Sequence, residues 1–250
     1  MRPAQICCKA IAEEDKVLQA HIISAAMPSR TPLRTKEPGD ATPFIPKKPT
    51  ITSLRDAARR CRGCDLWKNA TQTVFGVGNS RPSIMLIGEQ PGDKEDIAGR
   101  PFVGPAGRVL DEVLDAAGID REDVYVTNAV KHFSWTPAER GKRRIHKKPR
   151  YSEIKACRPW LDAEIAATHP EVIVCMGATA AQAVLGREFS VMRDRGKFVP
   201  SPLAPYVLAT VHPSSILRAQ DEESRRIQKE AFIADLLVAA TQIKKHRRAA

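Results

Sequence analysis

Four short apolar runs punctuate the chain: Ile84–Ile87, Val124–Val126, Val172–Cys175 and Val207–Val211. Each is too short for a helix and stops at a polar or turn-forming group, so each reads as a buried strand. They lead into Gly88-Glu89-Gln90-Pro91-Gly92, Thr127-Asn128-Ala129-Val130-Lys131, Met176-Gly177-Ala178-Thr179 and His212-Pro213-Ser214-Ser215. Between them the apolar period changes. Leu110, Val113, Leu114 and Ala117 fall at i, i+3, i+4 and i+7, which predicts a helix over 106–117 closed by Gly118. Residues 53–60, 152–167, 178–185 and 222–243 also read as helical. Strands alternating with helices predict an α/β fold of three α/β/α layers around a central, mostly parallel four-stranded sheet. In such sheets ligands bind beyond the carboxyl ends of the strands, so the polar groups at 88–92, 127–131 and 212–215 are expected to meet in one cleft.

Residues 1–50 lack this patterning. Pro28 to Pro49 is rich in Pro, Thr, Lys and Arg, so 1–50 is expected to be a flexible extension, with some helical character at 11–26. The folded domain is expected over 51–245, followed by a basic tail at 246–250. No run approaches the ~18 apolar residues of a membrane span, and the start lacks the pattern of a secretory signal. An intracellular, cytoplasmic, monomeric protein is expected.

Charge changes the picture because it is local. The chain carries a formal net charge of +11, and residues 131–150 alone hold eight Lys or Arg against the single acid Glu139. Residues 1–50 add a net +3, leaving the other 180 residues nearly neutral. A neutral body with one basic strip is the footprint of a polyanion binder. Inside the strip lies Lys142-Arg143-Arg144-Ile145-His146-Lys147. His146 there is a further phosphate contact, a general acid or base, or a nucleophile, since neutral imidazole attacks carbon once a neighbouring base takes its proton. Surrounding cations disfavour imidazolium and keep the ring nucleophilic.

Other groups carry similar pairs of readings. The loop at 88–96 holds Glu89, Asp93, Glu95 and Asp96, either as a solvated acidic turn or as a source of acid–base chemistry. Phe102, in the Pro-Phe-Val-Gly-Pro-Ala-Gly segment at 101–107, is either a core anchor or a base-stacking ring. His212-Pro213-Ser214-Ser215 suits a helix start, where free N–H groups also suit a phosphate. Cys61-x2-Cys64 is a typical metal knuckle, and with Cys157 and Cys175 it makes a possible four-thiolate set for zinc or an iron–sulfur cluster. Buried core thiols are the alternative for the last two.

Taken in order, Gly-Glu-Gln-Pro-Gly at 88–92, Pro-Phe-Val-Gly-Pro-Ala-Gly at 101–107, Lys-Arg-Arg-Ile-His at 142–146 and His-Pro-Ser-Ser at 212–215 resemble the uracil-DNA glycosylase superfamily. The likeness is to its iron–sulfur branch, and within that to the UdgX type, over about residues 53–243. The resemblance implies a [4Fe–4S] cluster on Cys61, Cys64, Cys157 and Cys175. It implies that uracil is flipped out of DNA and released free; a covalent binder with one basic loop is expected to favour single strands. It also implies that His146 attacks C1′ and stays bonded to the abasic sugar, so the protein turns over once. Phe102 would stack on uracil, with Gly88 beside it, and Asn128 would read its O4 and N3–H edge. Glu89 would orient or deprotonate His146. Gln90, being neutral, could not act as a base toward water, and His212 would donate to uracil O2. Lys142, Arg143, Lys147, Ser214 and Ser215 would hold DNA phosphates, Arg144 would position the loop or a phosphate, and Asp93 and Asp96 would position the basic loop. A turnover glycosylase of the family-four kind and a non-enzymatic iron–sulfur DNA-binding module are the rival expectations.

Overall fold

A computed structural model describes residues 39–139 and 143–249 of the chain. Its strands are β1 (Val77–Gly78), β2 (Ile84–Gly88), β3 (Val124–Asn128), β4 (Trp135–Pro137), β5 (Arg144–His146), β6 (Val172–Met176), β7 (Phe198–Val199) and β8 (Tyr206–Thr210). Its helices are α1 (Ile51–Ala58), α2 (Asp93–Ala98), α3 (Pro105–Ala116), α4 (Tyr151–Thr168), α5 (Ala178–Leu185), α6 (Val191–Asp194), α7 (Pro213–Leu217) and α8 (Glu222–Ala249).

The four apolar runs become β2, β3, β6 and β8, mutually parallel in the order β3-β2-β6-β8. Two two-residue strands, β1 and β7, pair antiparallel at the edges, so the sheet has six strands rather than four. Edge strands that short carry no readable apolar period. Alternation along the inner strands builds the three layers. Ile84, Leu86, Val126, Val174 and Leu208 point to one face, where Leu110, Val113 and Leu114 of α3 and Phe232 and Leu236 of α8 meet them. Met85, Ile87, Tyr125, Ile173 and Val207 point to the other, against Leu161 and Ile165 of α4 and Ala180 and Ala181 of α5. A third cluster joins α1 to α4 through Leu54, Ala58, Phe75 and Trp160.

Ala41 is fully buried in the third cluster and donates its N–H to Ala156 O at 2.8 Å, so residues before 51 pack onto the body. His246 and Arg247 lie in α8, and Arg247 reaches Asp123 at 3.2 Å. The expectations for 1–38, including the helical character at 11–26, lie outside the described residues. Among the described residues no helix is long and apolar enough to cross a membrane.

Under the end of β3 sits a buried ion pair. Lys131 and Glu164, both fully inaccessible, bond to each other. Lys131 Nζ also donates to Asn128 O at 2.6 Å and to Thr127 Oγ1 at 2.7 Å. Glu164 accepts in addition from Tyr125 OH at 2.9 Å, Thr127 Oγ1 at 3.0 Å and Gly76 N–H at 3.2 Å. The network ties α4 to β3 and fixes the peptide that carries Asn128. Removing one partner strands a buried charge, so Lys131→Met should lower stability by about 3–5 kcal/mol. Urea unfolding checks this, and Lys131→Met with Glu164→Leu should recover most of the loss. A single variant as stable as the parent would refute the assignment.

Candidate active site at the carboxyl ends of the strands

A cavity of about 510 Å³ opens where β2, β3, β6 and β8 end, lined among others by Glu89, Gln90, Phe102, Asn128, His146, Thr179 and His212. Parallel strands put their carboxyl ends on one side, which is why segments distant in sequence converge here.

The base of the cavity is set by close packing. A Cβ on Gly88 would stand 2.3 Å from Asn128 Oδ1 and 2.7 Å from Phe102 Cζ, so only glycine lets the amide and the ring approach this closely. Phe102 has φ 55°, a left-handed conformation unusual for a non-glycine residue. Gly107 allows it, since a Cβ there would come within 1.8 Å of Phe102 O. A strained residue held this way marks a position where ring placement matters. Asn128 is buried and its Oδ1 has no hydrogen-bond partner. Leaving a buried acceptor unpaired is costly, so the site is built for a donor that a ligand supplies.

His212 caps α7. Its Nδ1 accepts from Ser214 N–H at 3.1 Å, which leaves Nε2 as the protonated, donating nitrogen. Burial pushes its pKa down to about 4, so at neutral pH it is an uncharged donor. Its ring lies 5.9 Å from that of Phe102 at 31°. Ser214 and Ser215, expected at DNA phosphate, both bond to this histidine. Ser214 Oγ is 2.7 Å from Nδ1, and Ser215 Oγ donates to His212 O at 2.8 Å.

His146 ends β5, paired antiparallel with β4, a hairpin hidden from sequence by its charge. Its Nε2 lies 3.0 Å from Glu89 Oε1 and 3.0 Å from Gln90 Nε2. Gln90 decides between the two. Its amide nitrogen donates to Ser134 O at 3.1 Å and Lys147 O at 3.0 Å, and its Oε1 accepts from Ser134 N–H at 3.1 Å. Both amide protons are thus engaged, and the imidazole N–H points to Glu89. Burial alone would raise the Glu89 pKa. Hydrogen bonds from His146 and Thr179 outweigh it and hold the carboxyl below its usual range, ionised at neutral pH. Thr179, at the start of α5, carried no sequence signal beyond following a strand.

Arg144, expected to position the loop or a phosphate, is engaged within the protein. It donates to Asp93 Oδ1 at 2.6 Å and to Asp96 Oδ2 at 2.5 Å, and lies over Phe133 and Trp135. Asp93 and Asp96 thereby pin the hairpin to α2. Arg143 and Lys147 are exposed, Lys148 lines the cavity, and Lys142 lies outside the described residues.

The four cysteines fall into two groups. Cys61, Cys64 and Cys157 lie near enough for their charges to interact. Trp160 Nε1 donates to Cys61 Sγ at 3.2 Å, and Lys131 N–H to Cys157 Sγ at 3.3 Å. Cys175 lies in the sheet against Ile87 and Ala209, in the other core cluster, where burial raises its pKa and Arg158 is its charged neighbour. Of the expected four-thiolate set, Cys61 and Cys157 share one core cluster and Cys175 lies in another. Among the described residues no three ligating side chains stand ready around one point. His132, which follows the residue that bonds Cys157, is buried, and its Nε2 is 3.0 Å from Thr73 Oγ1. That hydroxyl donates to Ala58 O, which also accepts from Cys61 N–H.

A neutral histidine, an ionised carboxylate and an unpaired amide meet around one cleft, the arrangement of an enzyme-like site. A sequence profile of the uracil DNA glycosylase superfamily matches residues 75–237, and the chain belongs to that superfamily. It is 39% identical over 193 residues to the type-4 uracil-DNA glycosylase of Thermotoga maritima, covering 77% of this chain and 94% of that one. The type-4 enzymes of Saccharolobus solfataricus and Archaeoglobus fulgidus are 36% and 38% identical, over 72% and 67% of this chain and 85% and 84% of theirs.

The neutral His212 has a consequence for stability. Unfolded, this histidine takes up a proton near pH 6.5, while the folded form resists until about pH 4, so stability falls as pH drops through that window. Urea midpoints across this range should fall less for His212→Gln than for the parent. Equal falls would contradict the neutral assignment.

Proposed function

We propose that the protein excises uracil from DNA, preferring single strands, and remains joined through His146 to C1′ of the abasic sugar. The observation that carries this reading is the Glu89–His146 contact at 3.0 Å, an ionised carboxylate holding the N–H of a half-exposed imidazole at the cavity mouth. A duplex hides its bases, so the target nucleotide must leave the stack to enter. Phe102 stacks on the flipped ring. Asn128 offers its unpaired Oδ1 to uracil N3–H and its amide N–H to O4, an edge that cytosine does not present.

The chemistry then balances. The ring nitrogen with the free lone pair bonds to C1′ as the C1′–N1 bond breaks, and the electron pair leaves with uracil. His212, neutral and donating, stabilises the charge that develops on uracil O2. The new imidazolium gives its remaining N–H proton to Glu89. Gln90 is held by three hydrogen bonds and is no base, so nothing at that position activates water.

A [4Fe–4S] cluster belongs to the same proposal as a structural element, with Cys61, Cys64 and Cys157 as thiolates and His132 completing the set. Metal binding would deprotonate thiols that burial now raises to about 11 at Cys64 and about 12 at Cys157. No catalytic step passes through it.

A second reading rests on the similarity to type-4 uracil-DNA glycosylases. In it Glu89 directs water to C1′ and His146 only contacts phosphate.

A denaturing gel separates the two. Mixed with a labelled uracil-containing single strand, the protein should give a shifted band that survives heat and detergent, absent with thymine. His146→Ala should abolish the band, and Glu89→Gln should slow its formation roughly 100-fold or more. Alkali-labile abasic product without a shift would establish turnover instead.

A further inference from the structure

A second, larger cavity of about 730 Å³ lies at the other end of α2. Arg55, Arg59, Arg62 and Arg100 line it, with Trp67 and His132, and no carboxylate does. Elsewhere the arginines commonly meet acids, as at Arg144, Arg150, Arg195 and Arg226. Here the charge is largely unneutralised. Among the described residues Arg55, Arg62 and Arg100 have no carboxylate within ion-pair distance, and Arg59 reaches Asp56 only at 3.9 Å. Arg55 Nε is buried and unpartnered, and its Nη2 makes only a long 3.4 Å bond to Gly76 O. Arg62 Cζ lies over the Trp67 ring, 4.2 Å from its centroid, presenting a cation and an indole together.

This cavity adjoins the uracil site. Gly92, at one end of α2, lines the first cavity, and Gly99 and Arg100, at the other, line the second. Six helical residues span about 9 Å. Arg100 also shares a surface hollow with Phe102, the ring that faces into the first cavity. A strand leaving the first cavity past Phe102 meets Arg100 and then the α1 arginines. Clustered guanidinium groups suit phosphate oxygens, and a half-buried indole beside them offers a base an aromatic edge.

We propose that this cavity binds the phosphates of the stretch of DNA strand flanking the uracil, so that the strand wraps around α2. The inference rests on the uracil-DNA reading above for the identity of the strand. It moves strand binding beyond the basic strip at 131–150 to residues that the linear charge pattern does not single out.

The test compares Arg55→Gln/Arg59→Gln/Arg100→Gln with the parent by fluorescence anisotropy, on strands of roughly three and roughly fifteen nucleotides carrying one uracil. Arg62 is kept because its Nη1 donates to Cys61 O at 2.9 Å. Long-strand affinity should fall about 10-fold or more at low salt, and the slope of log K against log salt should shrink by about 2. Short-strand affinity should not change. A long uracil-free strand should show the same loss, because phosphates carry no base identity. Unchanged long-strand affinity and slope would overturn the proposal. So would an equal loss on the short strand, or inorganic phosphate displacing the long strand at equal phosphate concentration. Failure to excise uracil from any strand would instead refute the functional reading, and the long uracil-free strand would still decide on the arginines.

Discussion

The buried pair of Lys131 and Glu164 is the constraint on which the site depends. Glu164 sits on α4, while Lys131 follows β3 and bonds back to the peptide of Asn128. The segment after β3 must turn from a fully buried strand toward an open cavity, and its carbonyl needs a partner at the turn. A charged pair in the interior is costly in itself, and is tolerated because Tyr125, Thr127 and Gly76 complete its hydrogen bonds. The amide that faces the cavity therefore inherits its position from an ion pair that solvent never reaches.

Three histidines illustrate how environment divides one side chain among different tasks. His212 accepts a backbone N–H and is stripped of solvent, so it stays neutral and donates. His146 is half-exposed beside an ionised carboxylate, with one N–H committed and one lone pair free. His132 is buried beside the Thr73 hydroxyl, its pKa lowered to about 4 by burial and by Arg62, so it stays neutral at neutral pH.

The sheet was legible because four apolar runs leave no alternative to buried strands, and α3 because its apolar face repeats at helical spacing. The cavity was legible in outline because parallel strands gather their polar ends. Charge misled where sequence proximity differs from proximity in space. Lys131, Arg144 and Arg150 count toward the basic strip, yet Glu164, Asp93 with Asp96, and Glu153 neutralise them. The β4–β5 hairpin was hidden for the same reason, since cations on a half-exposed ribbon have no apolar period. Cysteine spacing could place Cys175 on a strand, but not say which face its side chain takes.

The hairpin bearing His146 is docked mainly by polar groups that it did not bring with it. Gln90, Asp93 and Asp96 all belong to the segment that follows β2, and each bonds to the hairpin or to the strand leading out of it. If the hairpin were deleted, that segment would retain an amide and two carboxylates with few partners, one carboxylate fully buried. If it were grafted onto a relative lacking them, it would arrive with nothing to hold its imidazole against the carboxylate. The two stretches, about fifty residues apart in sequence, therefore depend on each other for their hydrogen-bond partners, and a transplant of either has to carry both.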